Sequence, residues 1–369
     1  MSSQQICVIT NVDSQVGFAL AYRLLEERRS NNRGGNDNQG TIRLLCRNKE
    51  GLDPLTQLGG EVYQVDYNAE DQVREALKSI HAVILVPEHD YQRVKYGETI
   101  IRVAKEEDVN HLCMISIVGV GKIDQSGGQE YKHLKQYNQL EQIVKETMGS
   151  KEKHSIVRLT LPTQFFYFLA PTLEERNVLR LPVKKDRKWS TVDLYDSVDA
   201  IVKLSNETRQ GSPQGLTSAL GNLFVGGHLN KQVYQFTPRK WITVKELTEE
   251  IGEGLQRDSI KYEEVDTQEF KKILQELRDD HRFKERPNKN MPNDPTPPAG
   301  GNRQDRPFTF PLGRYLNDPY IETLIEVMDL VNQGQHEHAT DDLKQILGRE
   351  PQDIKSFFKN NRRQFQDLR

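Results

Sequence analysis

The sequence predicts an α/β fold: a doubly wound parallel sheet with a smaller, mostly helical C-terminal region. Two observations predict it. Over residues 5–115, short apolar runs rich in β-formers alternate with segments of helical period. Strands that alternate with helices in this way form right-handed crossovers, which lay the strands parallel and cover both faces of the sheet. The second observation is length: 369 residues exceed one core and suit a sheet domain plus a second region. The sheet core is placed at residues 1–160. The helical region, interleaved with that core, is placed at 161–369.

The elements follow in order. QICVIT (Gln5–Thr10) is the first strand, and the next helix puts Val16, Leu20, Leu24 and Leu25 on one face. The polar stretch SNNRGGNDNQG then reads as a loop. TIRLLC (Thr41–Cys46), EVYQV (Glu61–Val65), HAVILV (His81–Val86) and HLCMIS (His111–Ser116) are the second to fifth strands. Asp71–Ile80 and Val94–Glu107 carry helical period between them. A helix near Tyr131–Met148 presents Tyr137, Leu140, Val144 and Met148 at helical spacing, and His154–Leu159 is a further strand. After Phe165 the chain reads as irregular except for Trp189–Leu204, where a strand end turns into a helix with Asp196 placed to cap it. Thr243 precedes VKELTEEIGEGL and stands three residues before Glu246, a capping-box pattern. Arg286–Asp305 contains PNKNMPNDPTPPAGG, too poor in apolar residues to order itself by burial, and is expected to be a flexible insertion. YIETLIEVMDLV and a last helix with Ile354, Phe357, Phe358 and Phe365 bear apolar stripes, expected as core rather than as a partner surface.

Composition excludes several function classes. A net charge of −3 with mixed signs does not suit bulk binding to nucleic acid or anionic membrane. The longest apolar runs are strand-sized, too short to span a bilayer. MSSQQ runs straight into a strand pattern, without the basic and apolar regions of a leader, so a cytoplasmic protein is expected, with nuclear import left open. The three cysteines, Cys7, Cys46 and Cys113, lack metal-ligand spacing and lie in strand-like runs, where a thiol packs as a small apolar group. His336-Glu-His338 has no partners at metal-binding spacing and reads as a solvated turn.

The first strand delivers its chain to the N-terminus of the next helix as ICVITNVDSQVGFALAYRLLEE. This stretch is similar to the V-T-G-A-T-G-x-x-G start of the NmrA-like family, a branch of the atypical short-chain dehydrogenases with a Rossmann-type sheet. Asn11 and Ser14 replace the first two glycines, and Gly17 alone remains. The resemblance extends through LLCRNKEGLDPLTQLGGEVYQVDYNAEDQVREALKSIHAVILV, HLCMISIVGVG and HSIVRLTLPTQFF to YQFTPRKWITVKELTEEI and DLKQILGREPQDIKSFF. It implies NAD(P)(H) binding, with some members acting as reductases and others as dinucleotide sensors that bind regulatory proteins.

On that resemblance the dinucleotide would meet Thr10, Asn11, Ser14, Gln15, Val16 and Gly17 in the phosphate loop. It would meet Arg47 and Lys49 after the second strand, Asp66 after the third and Pro87 after the fourth. Asn11 is a mild loss, because asparagine tolerates left-handed backbone. Asp13 matters more, since a carboxylate about 4 Å from a phosphate charge costs roughly 1 kcal/mol in water and roughly 4 kcal/mol at an effective dielectric of 20. Either Asp13 or Ser14 caps the helix itself and dinucleotide binding is weakened, or the loop is rearranged and competent. A guanidinium at Arg47 suits a 2′-phosphate, and no acid stands there to read a ribose diol, so NADP(H) is expected over NAD(H). The alternative is a solvated basic loop. Asp66 has a duller alternative too, as a cap on the helix that follows.

Reduction of a carbonyl in the short-chain dehydrogenases uses Tyr-x-x-x-Lys on one helix face, and Tyr131-Lys-His-Leu-Lys135 has that spacing after the fifth strand. Tyr91-Gln-Arg-Val-Lys95 has it as well, in a place where it cannot serve. Ser116 is the supporting serine, but Ile117 occupies the family's second serine position. Phe165, Phe166, Tyr167 and Phe168 either wall a substrate pocket or are core. Three functions stay open: an NADP(H) sensor or regulatory scaffold with weak or no turnover, an NADPH-dependent reductase of a small carbonyl or quinone, and an interaction scaffold that no longer binds nucleotide.

Overall fold

The computed structural model describes residues 7–32, 41–123, 131–150, 152–206, 231–280, 312–334 and 339–365. Most of the polar stretch SNNRGGNDNQG, the Pro/Asn/Gly-rich segment Arg286–Asp305 and the His336/His338 pair lie outside the described residues. The chain divides into two compact units, one of residues 1–120, 135–159 and 197–235 and one of residues 121–134, 160–196 and 236–369.

A seven-stranded sheet dominates the first unit. Its strands are β1 (Cys7–Ile9), β2 (Ile42–Cys46), β3 (Glu61–Gln64), β4 (Ala82–Leu85), β5 (His111–Ile117), β6 (His154–Leu159) and, from residues late in the chain, β9 (Val233–Phe236). They stand in the order β3-β2-β1-β4-β5-β6-β9. The pairs from β3 to β6 are parallel. β9 extends the sheet in the same sense, since the Ile156 and Thr160 amides donate to the Gln232 and Phe236 carbonyls. The helices between the strands are α1 (Gln15–Asn32), α2 (Asp53–Gln57), α3 (Glu70–Leu77), α4 (Arg93–Glu106) and α5 (Lys132–Met148).

The physical reason for the parallel sheet is visible residue by residue. Cys7, Val8, Ile9, Ala82, Val83, Ile84 and Leu85 are all buried, as expected of strands covered on both faces. All three cysteines are free and buried in this sheet. β3 is the exception: an edge strand with exposed Glu61, Tyr63 and Gln64. The order 3-2-1-4-5-6 reverses direction between β1 and β4, and the crevice at their carboxyl ends is where such sheets take ligands.

The second unit corrects one expectation. The described residues directly after Phe165 are not irregular: they form a 3-10 segment Thr163–Leu169, then α6 (Ala170–Arg176) and β7 (Val178–Leu181). The further elements of this unit are β8 (Lys188–Trp189), β10 (Ile242–Thr243), α8 (Val244–Leu255), β11 (Lys261–Glu264) and α9 (Thr267–Asp279), then α10 (Asp318–Asn332), α11 (Asp342–Leu347) and α12 (Ile354–Asn360), while α7 (Leu194–Asn206) starts in it and has most of its residues in the first unit. β7 pairs with β11 and β8 with β10 across long sequence separations, which local periodicity cannot reveal. Phe165, Phe166, Tyr167 and Phe168 are fully buried with Trp189, Phe270, Phe357, Phe358 and Phe365. They are core, and so is the apolar stripe of the last helix.

Two caps can be compared with expectation. Thr243 and Glu246 form the reciprocal capping box on α8. At α7 the Tyr195 amide donates to Asp193 at 2.9 Å. Asp196 does not cap: it lies fully buried, accepts the Gln352 amide at 2.6 Å and pairs with Arg349.

Candidate functional site

The residues at the carboxyl ends of β1, β2 and β4 fold against one another. Thr10 ends β1, and its hydroxyl exchanges hydrogen bonds with the Val86 carbonyl (3.0 Å) and amide (2.9 Å) after β4. Asn11 adopts left-handed backbone with φ of 52°, the conformation a glycine usually supplies, and its side-chain amide donates to the Pro87 carbonyl at 2.8 Å. The Asn11 carbonyl in turn accepts the Ser14 amide at 3.1 Å and the Ser14 hydroxyl at 2.7 Å. Ser14 Oγ then accepts the Gly17 amide at 3.1 Å, so the N-terminus of α1 is capped from within. Val16 is half-buried beside it.

Asp13 takes a different role from either expected one. Its Oδ2 accepts the backbone amides of Arg47 (3.1 Å) and Asn48 (2.9 Å) beyond β2. Its Oδ1 is buried without a well-formed hydrogen bond among the described residues. Burial raises the Asp13 carboxyl above its ordinary range, against the lowering pull of the Asn48 and Arg47 amides. Gln15, 3% exposed, begins α1 with both side-chain amide atoms buried and unpartnered among the described residues. Such orphaned buried polar atoms call for a partner.

Arg47 pairs with Asp90 at 2.6 Å, and its guanidinium lies 5.3 Å from the Tyr96 ring centre. Lys49 is exposed. Asp66 accepts the Asn68 amide at 2.9 Å in a local turn. It does not cap α3, whose N-cap residue is Ala69.

Glu88, one residue past Pro87, was not singled out from sequence. It is 7% exposed, and its Oε1 has no hydrogen bond among the described residues. Burial, with Asp13 adding to it, raises the Glu88 carboxyl well above the usual range, more than Arg47 and Arg93 lower it. Tyr67, also missed, is fully buried beside the Asn11 backbone without a well-formed hydrogen bond, and burial pushes its phenol up. The signal available in sequence was Pro87-Glu-His-Asp90, two acids at the end of the fourth strand, where the sheet order reverses.

The expected catalytic groups are each engaged. The Ser116 hydroxyl, on β5, donates to Glu141 at 2.7 Å, and Glu141 is held by Arg158 through bonds of 2.8 and 2.6 Å. Tyr131 precedes α5 in left-handed backbone, φ 58°, and its hydroxyl donates to Asp329 on α10 at 2.8 Å. Glu326 accepts the His133 and Leu134 amides at 3.0 and 2.8 Å, capping α5 from α10. Lys135 lies half-buried in the first turn of α5. The four-residue spacing of Tyr131 and Lys135 is therefore not a spacing along one helix face, because Tyr131 is outside the helix. Among the described residues no group of three His, Cys, Asp or Glu side chains is arranged to hold a metal, and no helix is long and apolar enough to cross a membrane.

Residues 35–164 match the model of an NAD(P)H-binding family. The match begins after β1 and the phosphate loop, the part of the chain that departs furthest from the usual glycine pattern. No curated protein sequence matches the chain. Among solved structures, a Citrobacter sp. triphenylmethane reductase complexed with NADP(H) has 16% identity and a TM-score of 0.65, over 96% of this chain and 99% of that one. An Escherichia coli NADPH-dependent quinone oxidoreductase has 14% identity and a TM-score of 0.61, over 95% and 98%. A Staphylococcus aureus nucleoside-diphosphate-sugar epimerase has 16% identity and a TM-score of 0.62, over 96% and 100%. At these identities the likeness is one of fold: a Rossmann-type sheet, which in the triphenylmethane reductase complex carries NADP(H).

The residues present fit such a group. The orphaned amide of Gln15 at the start of α1 and the orphaned Oδ1 of Asp13 beside β2 are polar atoms awaiting partners, at the two positions where a Rossmann sheet meets pyrophosphate and adenosine ribose. Gly17 keeps the close helix–strand approach: a Cβ there would stand 2.0 Å from the Asn11 carbonyl oxygen.

Proposed function

We propose that the protein binds a nicotinamide dinucleotide at the carboxyl ends of β1, β2 and β4 and acts as a sensor or regulatory scaffold with weak or no turnover. One observation carries this reading. The hydroxyls a reductase would use are committed elsewhere, Ser116 to Glu141 and Tyr131 to Asp329. A tyrosine that donates to a carboxylate is not free to donate to a substrate, and a serine locked to a buried ion pair cannot orient one.

In this reading Gln15 and the start of α1 hold the pyrophosphate, while Thr10, Asn11, Ser14, Val16, Gly17 and Pro87 shape the loop beneath it. Asp13, Arg47, Lys49 and Asp66 surround the adenosine end. A bound nicotinamide would supply hydride chemistry, which this site exploits little. The expected preference for NADP(H) requires Arg47 to exchange Asp90 for a 2′-phosphate.

The second reading is a reductase of a small carbonyl or quinone, favoured by the fold shared with the quinone oxidoreductase and the triphenylmethane reductase. It requires Tyr131 to leave Asp329 and act beside Lys135 and Ser116. Calorimetric titration with NADH and NADPH, followed by a spectrophotometric screen with quinones and aldehydes, separates the readings. Binding without turnover is expected. Turnover abolished by Lys135→Ala would establish the reductase. Failure of every dinucleotide to bind leaves a scaffold without nucleotide.

A further inference from the structure

The selectivity of a Rossmann sheet between NAD(H) and NADP(H) is set beside the carboxyl end of the second strand. An acid there accepts hydrogen bonds from the ribose diol, and a guanidinium donates to a 2′-phosphate. Here the strand is followed by Arg47, yet Arg47 is not presented to a phosphate. Its guanidinium is paired with Asp90 at 2.6 Å and lies against Tyr96. The two backbone amides that open the β2–α2 loop, those of Arg47 and Asn48, are also taken, by Asp13 Oδ2.

We infer that Asp13, reaching across from the β1–α1 loop, is the residue that reads the adenosine ribose, and that it selects NAD(H) over NADP(H). This inference rests on the proposed dinucleotide binding and reverses the preference drawn from Arg47 and Lys49. Three features of the geometry support it. One carboxylate oxygen is anchored by two amides, which fixes the orientation of the group. The other oxygen is a buried acceptor without a well-formed hydrogen bond among the described residues, and a ribose hydroxyl is a donor. A 2′-phosphate brought to the same place would meet Asp13 itself, with Asp90 paired to Arg47 beside it, and would be repelled. The acid has moved from the end of the second strand to the end of the first while keeping its place in space.

Titration of the full-length protein with NADH, NADPH, ADP-ribose and 2′-phospho-ADP-ribose tests this. NADH is expected to bind at least about tenfold more tightly than NADPH, and the two adenosine fragments are expected to keep that ratio, since the distinction lies at the ribose. Asp13→Asn keeps an oxygen for the Arg47 and Asn48 amides but loses the charge and the second acceptor. It is expected to weaken NADH by about tenfold and to bring the two dinucleotides to parity. Asp90→Asn, which touches neither Asp13 nor its amides, releases Arg47 and is expected to strengthen NADPH alone. Equal or tighter binding of NADPH by the unaltered protein overturns the inference while leaving dinucleotide binding intact. An unchanged ratio in a folded Asp13→Asn overturns it too. Absence of binding by any of the four ligands, to the unaltered protein and to both variants, overturns the dinucleotide reading as well.

Discussion

Gly17→Ala probes why one glycine of the phosphate loop survives when the others are gone. An ideal Cβ at this position stands 2.0 Å from the Asn11 carbonyl oxygen, 2.8 Å from its carbon and 3.0 Å from Ser14 Oγ. The oxygen would have to retreat by about 1 Å to reach even the tightest ordinary contact. It is not free to do so. It accepts both the Ser14 amide and the Ser14 hydroxyl, and its residue is pinned by the bond from its side chain to the Pro87 carbonyl. Overpacking of this kind costs about 1–3 kcal/mol, and each strained hydrogen bond adds about 1 kcal/mol. A loss of roughly 2–4 kcal/mol follows, equivalent to a fall in Tm of roughly 5–15 °C for a unit of this size. Thermal unfolding followed by circular dichroism, without dinucleotide, measures it. A variant that melts within about 2 °C of the parent would refute the claim that backbone packing, rather than pyrophosphate approach, retains this glycine.

Other expectations follow from the same geometry. Burial, with Asp13 adding to it, holds the Glu88 carboxyl above its ordinary value, so the folded protein keeps a proton that the unfolded chain releases. Stability from this group is complete at acid pH and is lost as pH rises from the ordinary glutamate range toward the raised folded value. Glu88→Gln should therefore match the parent near pH 4 and melt higher, by about 2–4 °C per kcal/mol, near pH 8; parallel melting curves across that range would count against it. Glu141→Ala leaves Arg158 mostly buried without its bidentate partner and should destabilise by about 3–5 kcal/mol in urea unfolding, whereas Ser116→Ala should lose only about 1 kcal/mol. Phe358→Ala, in the aromatic core, should lose about 3–5 kcal/mol; a loss under 1 kcal/mol would return the last helix to the surface. Tyr131→Phe should change dinucleotide affinity by less than about twofold while lowering stability by about 1–2 kcal/mol through the lost Asp329 bond, and a larger loss of affinity would place Tyr131 against the ligand.

What the sequence alone determined is the sheet from β3 to β6; β9, at its far edge, was not read as a strand. Cys7–Ile9, Ile42–Cys46, Ala82–Leu85 and His111–Ile117 are short apolar runs separated by helical periods, and a parallel strand buried on both faces leaves that mark without reference to any partner. Thr243 with Glu246 was legible for the same reason: a capping box is complete within four residues. The segments β7 and β8 were not legible, because their partners β11 and β10 lie more than 50 residues away. Nor was the true cap of α7: Asp193 and Asp196 are equivalent in pattern, and only the ion pair with Arg349 draws Asp196 inward.

The phosphate loop divides along the same line. From the residues, Asn11 in place of glycine, Ser14 as a cap and Asp13 as an unfavourable charge could all be anticipated, because each depends on local backbone and on the helix that starts at Gln15. Tertiary structure alone decided where the Asp13 carboxylate goes and what Arg47 does. Asp13 reaches the amides of Arg47 and Asn48, 34 and 35 residues on, and Arg47 turns to Asp90, 43 residues further. A hydrogen bond across parallel strands joins residues whose separation is set by the length of the intervening helix and loops. No periodicity records that length, so the chemistry of the site is written in pairs that only the folded sheet brings together.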